Sequence, residues 1–174
     1  MKYGLFLRLV MIAAACSAVS GVGQAQTADS PTSLGKSGDW EAFTYDTPDS
    51  KVCYVFSAPA KSEPKTAKRN PVYFMVTHWP GRKVKSQPST FIGYTFKEAS
   101  AVALSIEGKK FDLYPVADMA WTDKPETEKA ILLAMKSGKL MTIKGTSARG
   151  TETIDTYSLA GISSAMEKID DACK

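Results

Sequence analysis

One histidine, three cysteines and the stretch GTSARGTETIDTYSLAG, Gly145 to Gly161, are the parts of this chain whose residue types could do chemistry. The segment G-T-S-A-R-G-T is spaced like a phosphate loop. Such a loop needs lysine after its second glycine, and a following helix whose amides cradle the phosphates. Thr151 stands in the lysine position, and a β-rich run follows. A Ser–His–Asp hydrolase would have to combine His78 with Ser147 or another serine and with Asp155. No G-x-S-x-G elbow accompanies them. A lone histidine closing an apolar run, beside Trp79 and Pro80, is expected to be a partly buried hydrogen-bonding group at a strand end. An acid/base His78 is the alternative an enzyme would require. One histidine and two mature cysteines make a poor ligand set, so no metal and no cofactor are expected.

The cysteines speak first about compartment. Residues 1–25 read as an export signal: Lys2 and Arg8 are its positive start, LVMIAAACSAV its short apolar run, and Gly23 to Ala25 its small-residue cleavage site. The apolar run is too short for a membrane span. Cys16 follows three alanines, so a lipid anchor at Cys16 is an alternative fate for the segment. Cleavage after Ala25 leaves about 150 residues, enough for one domain with its own core. It also leaves Cys53 and Cys173, which in an oxidising compartment most simply form one disulfide. That bridge would close a loop of about 120 residues, worth roughly 4–5 kcal/mol when unstrained. A reactive pair would need C-x-x-C spacing, which is absent.

The formal charge of +4 falls to +2 once Lys2 and Arg8 leave with the signal. That is too little to argue for nucleic acid. Basic residues cluster at Lys61, Lys65, Lys68 and Arg69, and again at Arg82, Lys83 and Lys85. They read as solvated loops, or else as a patch for an anionic surface such as lipid headgroups or acidic glycans.

The elements that must position these groups are mostly strands. Residues 26–37 are small and polar and read as a disordered leader. Residues 38–174 read as a single domain. WEAFTYD, KVCYVFSAP, VYFMVTHW, STFIGYTF, AVALSIEG and FDLYPV follow as strands, with EGKK as a hairpin turn. A helix is expected near 124–137, with Asp123 as N-cap, Glu126 completing a capping box and Gly138 ending it as a C′ glycine. A second is expected over 161–173, with Ile162, Ala165, Met166, Ile169, Ala172 and Cys173 on one face. Between the helices, LMTIKG and TETIDTYSL form a hairpin whose turn TSARG uses Gly150 for positive φ. Arg149 sits at its tip, and Asp155 would face solvent or a partner. The fold class is therefore mainly β: antiparallel, sandwich-like, with two packed helices. Most aromatic residues on these strands should be core. Trp79 and Trp121 precede turns and are candidate binding anchors.

GDW near the mature start, CY after it, VYFMVTHWPG, IGYTFKEASAVALSIEGKKFDLY, AW, AMKSGKLMTIKGTSARGTETIDTYSLAGISSAM and the final AC together resemble the invasion-associated locus B family. These are small exported proteins of alphaproteobacteria. The resemblance covers most of residues 38–173 and is strongest from Ala134 to Ala165. It implies a β-rich fold, a periplasmic or outer-surface location, and a protein partner in the envelope or on a host cell. No catalytic residues define the family. Members often carry a further cysteine shortly after GDW. Phe43, Thr44 and Tyr45 stand there in this chain, so the family pattern also implies the single bridge Cys53–Cys173.

Overall fold

The computed structural model describes residues 30–48 and 50–174. Residues 1–25, expected to be an export signal, with Cys16, and residues 26–29 of the expected leader lie outside the described residues. Among those described, the strands are β1 (Thr32–Ser37), β2 (Trp40–Asp46), β3 (Lys51–Ser57), β4 (Lys61–Glu63), β5 (Tyr73–Trp79), β6 (Val84–Phe91), β7 (Val102–Ile106), β8 (Lys109–Val116), β9 (Met119–Trp121), β10 (Leu140–Thr146) and β11 (Glu152–Ser158). Helix α1 (Pro125–Ser137) precedes β10, and α2 (Ile162–Ala172) ends the chain. The fold is mainly antiparallel β with two helices, as the sequence predicts.

The strands form one sheet in the order β1-β2-β3-β5-β6-β9-β8-β7-β10-β11-β4. The sheet curls until its two ends meet. The Trp40 indole of β2 donates to the carbonyl of Ser158 on β11 at 3.0 Å, and the Asp39 amide donates to Ala160 O at 3.1 Å. Two glycines make this seam. Gly38 has φ +57 and Gly161 φ +89. A Cβ on Gly38 would fall 2.2 Å from Ala160 O, and one on Gly161 2.1 Å from Ser37 O. Only glycine fits at either place. The GDW and S-L-A-G segments are thus the two sides of one backbone contact.

Inside the curl lie Trp40, Val55, Phe74, Val76, Leu104, Ile106, Met141, Ile143 and Tyr157, all essentially inaccessible. Helix α2 packs on β1, β2 and β3, burying Ile162, Ala165, Met166 and Ile169, the stripe its sequence spacing predicts. The disulfide Cys53–Cys173 ties its last turn to β3.

Several expectations are corrected. Residues 32–37 are not a disordered leader: they pair with β2 as an edge strand, since β2 supplies the hydrogen bonds that small polar residues alone do not advertise. The strand expected at Ser89–Phe96 is β6 and ends at Phe91. It tolerates Pro88 because β9 pairs only with residues 89–91, leaving Pro88 with a neighbour on one side. The α1 N-cap is Lys124, with no side-chain cap. Pro125 forces the residue before it into extended backbone, φ −138 and ψ 137, so Asp123 cannot cap. Gly138 caps α1 at φ −87, an ordinary conformation. It is small for a different reason: a Cβ would stand 2.7 Å from Ile106 Cγ2.

Candidate functional site

β5 divides the candidate residues between two faces. Phe74, Val76 and His78 point inward and are buried. His78 is 2% exposed, and both ring nitrogens are engaged. Nδ1 accepts the Ser86 amide at 2.9 Å. Nε2 therefore carries the hydrogen and faces Asp170 Oδ1 of α2 at 3.1 Å. Lys85 Nζ reaches the same carboxylate oxygen at 2.9 Å. Burial pushes His78 below the ordinary imidazole range, against the pull of Asp170. Burial works to raise Asp170, but hydrogen bonds from Lys85 and His78 hold it below the usual carboxylate range. Directly across the ladder from His78 is Cys53. The imidazole, the carboxylate and the bridge make a clasp that fastens α2 to the sheet. With both nitrogens occupied, His78 offers no lone pair to a substrate.

A second polar cluster lies deeper. Asp155 is fully buried, not a solvent group, and Arg69 is buried rather than part of a solvated basic loop. The guanidinium grips both carboxylate oxygens, and Ser62 Oγ donates to Oδ1 at 2.6 Å. Burial opposes the Arg69 charge, but Asp155 raises the group above its ordinary range. This pair pins the loop between β4 and β5 onto β11. Arg149 lies exposed at the tip of the β10–β11 hairpin, where Gly150 has φ +85, the positive value the turn reading requires. Among the described residues no group of three or more His, Cys, Asp or Glu could hold a metal, and no helix is long and apolar enough to cross a membrane.

The outward face of the same sheet is different. Residues directly opposite one another share a face, so the register defines its rows. Phe43, Tyr54, Thr77 and Gln87 make one row. Glu41, Phe56, Met75, Ser89, Trp121 and Tyr114 make the next. Tyr73, Phe91, Met119 and Val116 make a third. Tyr45 with Val52, and Trp79 with Val84, extend the face toward the β5–β6 turn. Phe43 stacks on Tyr54 at 5.7 Å, and Phe56 meets Tyr73 edge-on at 5.4 Å. Tyr54, Phe56, Tyr73 and Met75 line an open depression of about 220 Å³. Tyr114 and Val116 are 47% and 54% exposed.

The family model for invasion associated locus B (IalB) protein matches residues 40–170. The chain belongs to the invasion associated locus B family. The fold agrees with the crystal structure of invasion associated protein B from Bartonella henselae: TM-score 0.54 and 17% identity, covering 81% of this chain and 97% of that one. No curated protein matches the sequence.

The sequence expectation that the strand aromatics are mostly core therefore holds for Trp40, Phe74 and Tyr157 and fails for the outward set. Trp79 and Trp121, named as anchors, both stand half-buried on this face. Arg82 and Lys83 are exposed at its end, with the Arg82 guanidinium 4.9 Å over the Trp79 ring. Lys85 turns to Asp170 instead, and Arg149 belongs to another part of the sheet. Two apolar alternations on adjacent strands could have revealed the face. In WEAFTYD and KVCYVFS, the aromatic pairs Phe43 and Tyr45, and Tyr54 and Phe56, alternate with the small or aliphatic Ala42, Cys53 and Val55.

Proposed function

We propose that this family member is an exported envelope protein that works by docking onto another surface through the outer face of its sheet, without chemistry of its own. One observation carries the reading: a six-strand outward face whose aromatic side chains stand half-buried, with Tyr114 and Val116 exposed, on the side of the sheet away from the core. A face of this extent on a soluble domain marks an interaction site. The catalytic alternative rests on His78, whose nitrogens are both committed to Ser86 and Asp170.

Export is supported by the amino-terminal signal pattern and by a disulfide that suits an oxidising compartment. The family name and that of the Bartonella protein support contact with a host cell as the setting. The test begins with the intact mass of the protein from its native cells. It should correspond to a chain starting at Gln26; acyl mass on Cys16 would instead show a lipid anchor. Biotin and protease applied to intact cells then locate it. Labelling without opening the outer membrane places it at the surface. Protection until that membrane is opened places its partner inside the envelope.

A further inference from the structure

Resting on that docking reading, we infer that the occupant of the outer face is a lipid surface bearing anionic headgroups. Three features of the face point there. The first is its charge. Its rows contain one charged residue, Glu41, at the β2 margin. Glu41 is paired with Lys36 at 3.6 Å, so the rows carry no unpaired charge.

The second is its shape. The sheet curls until β2 meets β11, so the outer face is convex. It spans about 24 Å across six strands. Two convex faces touch along a narrow strip, and a second copy would leave most rows uncovered. A fluid bilayer conforms to the curve.

The third is its basic end. Lys51 at the start of β3 and Arg82 and Lys83 from the β5–β6 turn are exposed there, with Asp46 opposite Lys51 as a counter-charge among the described residues. Arg82 lies on Trp79, whose Nε1 is buried without a hydrogen-bond partner among the described residues. Tryptophan and tyrosine with adjacent basic groups match the boundary between headgroups and acyl chains. Aromatic rings enter the boundary, and Arg82 and Lys83 meet phosphates.

The experiment is flotation of the full mature chain with vesicles of phosphatidylethanolamine and phosphatidylglycerol, against phosphatidylcholine vesicles and against native envelope membranes. The chain should float with the anionic vesicles, shift its tryptophan emission to the blue, and be released by salt. Arg82→Gln and Lys83→Gln should each weaken binding about fivefold. Tyr114→Ser with Val116→Ser, at exposed sites that leave the fold intact, should weaken it about tenfold. Arg149→Gln should not change it. Binding to native membranes but to neither vesicle would overturn the lipid occupant and leave docking standing. Binding to none of them would overturn both. Sedimentation as a dimer that the Tyr114 and Val116 changes dissolve would assign the face to a second copy instead.

Discussion

The two faces of β5 invert what their residue types promise. Inward, His78 with Asp170, Lys85 and the Cys53–Cys173 bridge has the composition of a reactive centre. Outward, Tyr73, Met75 and Trp79 have the composition of a core. Yet the inward imidazole is buried with both nitrogens engaged, while the outward aromatic rings stand half-buried at the surface. Chemistry-bearing side chains become structural when every lone pair and proton is spoken for. Aromatic ones become functional when the fold leaves them uncovered.

The comparison breaks if the inward groups prove dispensable for stability. The largest effect is expected at the deeper pair. Arg69→Met leaves the buried Asp155 carboxyl without its ion-pair partner, with Ser62 Oγ still donating to it, and should cost about 3–5 kcal/mol in denaturant unfolding. A loss under about 1 kcal/mol would mean the pair is not buried as described. Cys53→Ser with Cys173→Ser removes the bridge that anchors α2 and should cost about 2–5 kcal/mol, read as a lowered melting temperature under non-reducing conditions. His78→Ala leaves the Ser86 amide without its acceptor, a cost of about 1–3 kcal/mol.

His78 also sets a pH signature. Its folded pKa lies below the ordinary value, so the unfolded chain binds the proton first. Stability should be full above about pH 6.5 and fall as pH drops below it. Thermal melts should show this slope in the native chain and lose part of it in His78→Ala. A native chain equally stable across that window would contradict the buried, neutral imidazole. The smallest effect sharpens the contrast from the other side. Tyr114→Ser with Val116→Ser should move stability by no more than about 0.5 kcal/mol per site, although both residues are apolar.

Much of the fold was legible because its periodicities are strong. β2, β3, β5, the β7–β8 hairpin, β10, β11 and the α2 stripe all follow from alternation or helical spacing. The Glu107–Gly108 turn, with φ 46 and 82, is the left-handed pair a two-residue hairpin demands. β1, β4 and β9 were not legible. The last two are three residues long, and all three owe their conformation to a neighbour's hydrogen bonds. The site was legible only in pieces. Trp79, Trp121, Arg82 and Lys83 were marked, but not Phe43, Tyr54 or Tyr73. Alternation says that a strand has two faces. It does not say which is covered when one face carries Tyr54 and Phe56 and the other Cys53 and Val55. That depends on where the Gly38–Gly161 seam closes the sheet, a contact between segments more than a hundred residues apart.

Hydroxyl-radical footprinting of the protein in sealed native envelopes, against the purified chain, tests the central claim most directly. Tyr54, Tyr73, Met75, Tyr114 and Trp121 should lose reactivity in the envelope while exposed Leu133 and Leu140, outside the face, keep theirs. Full reactivity of those five residues in the envelope, with protection instead around Arg149, would contradict it.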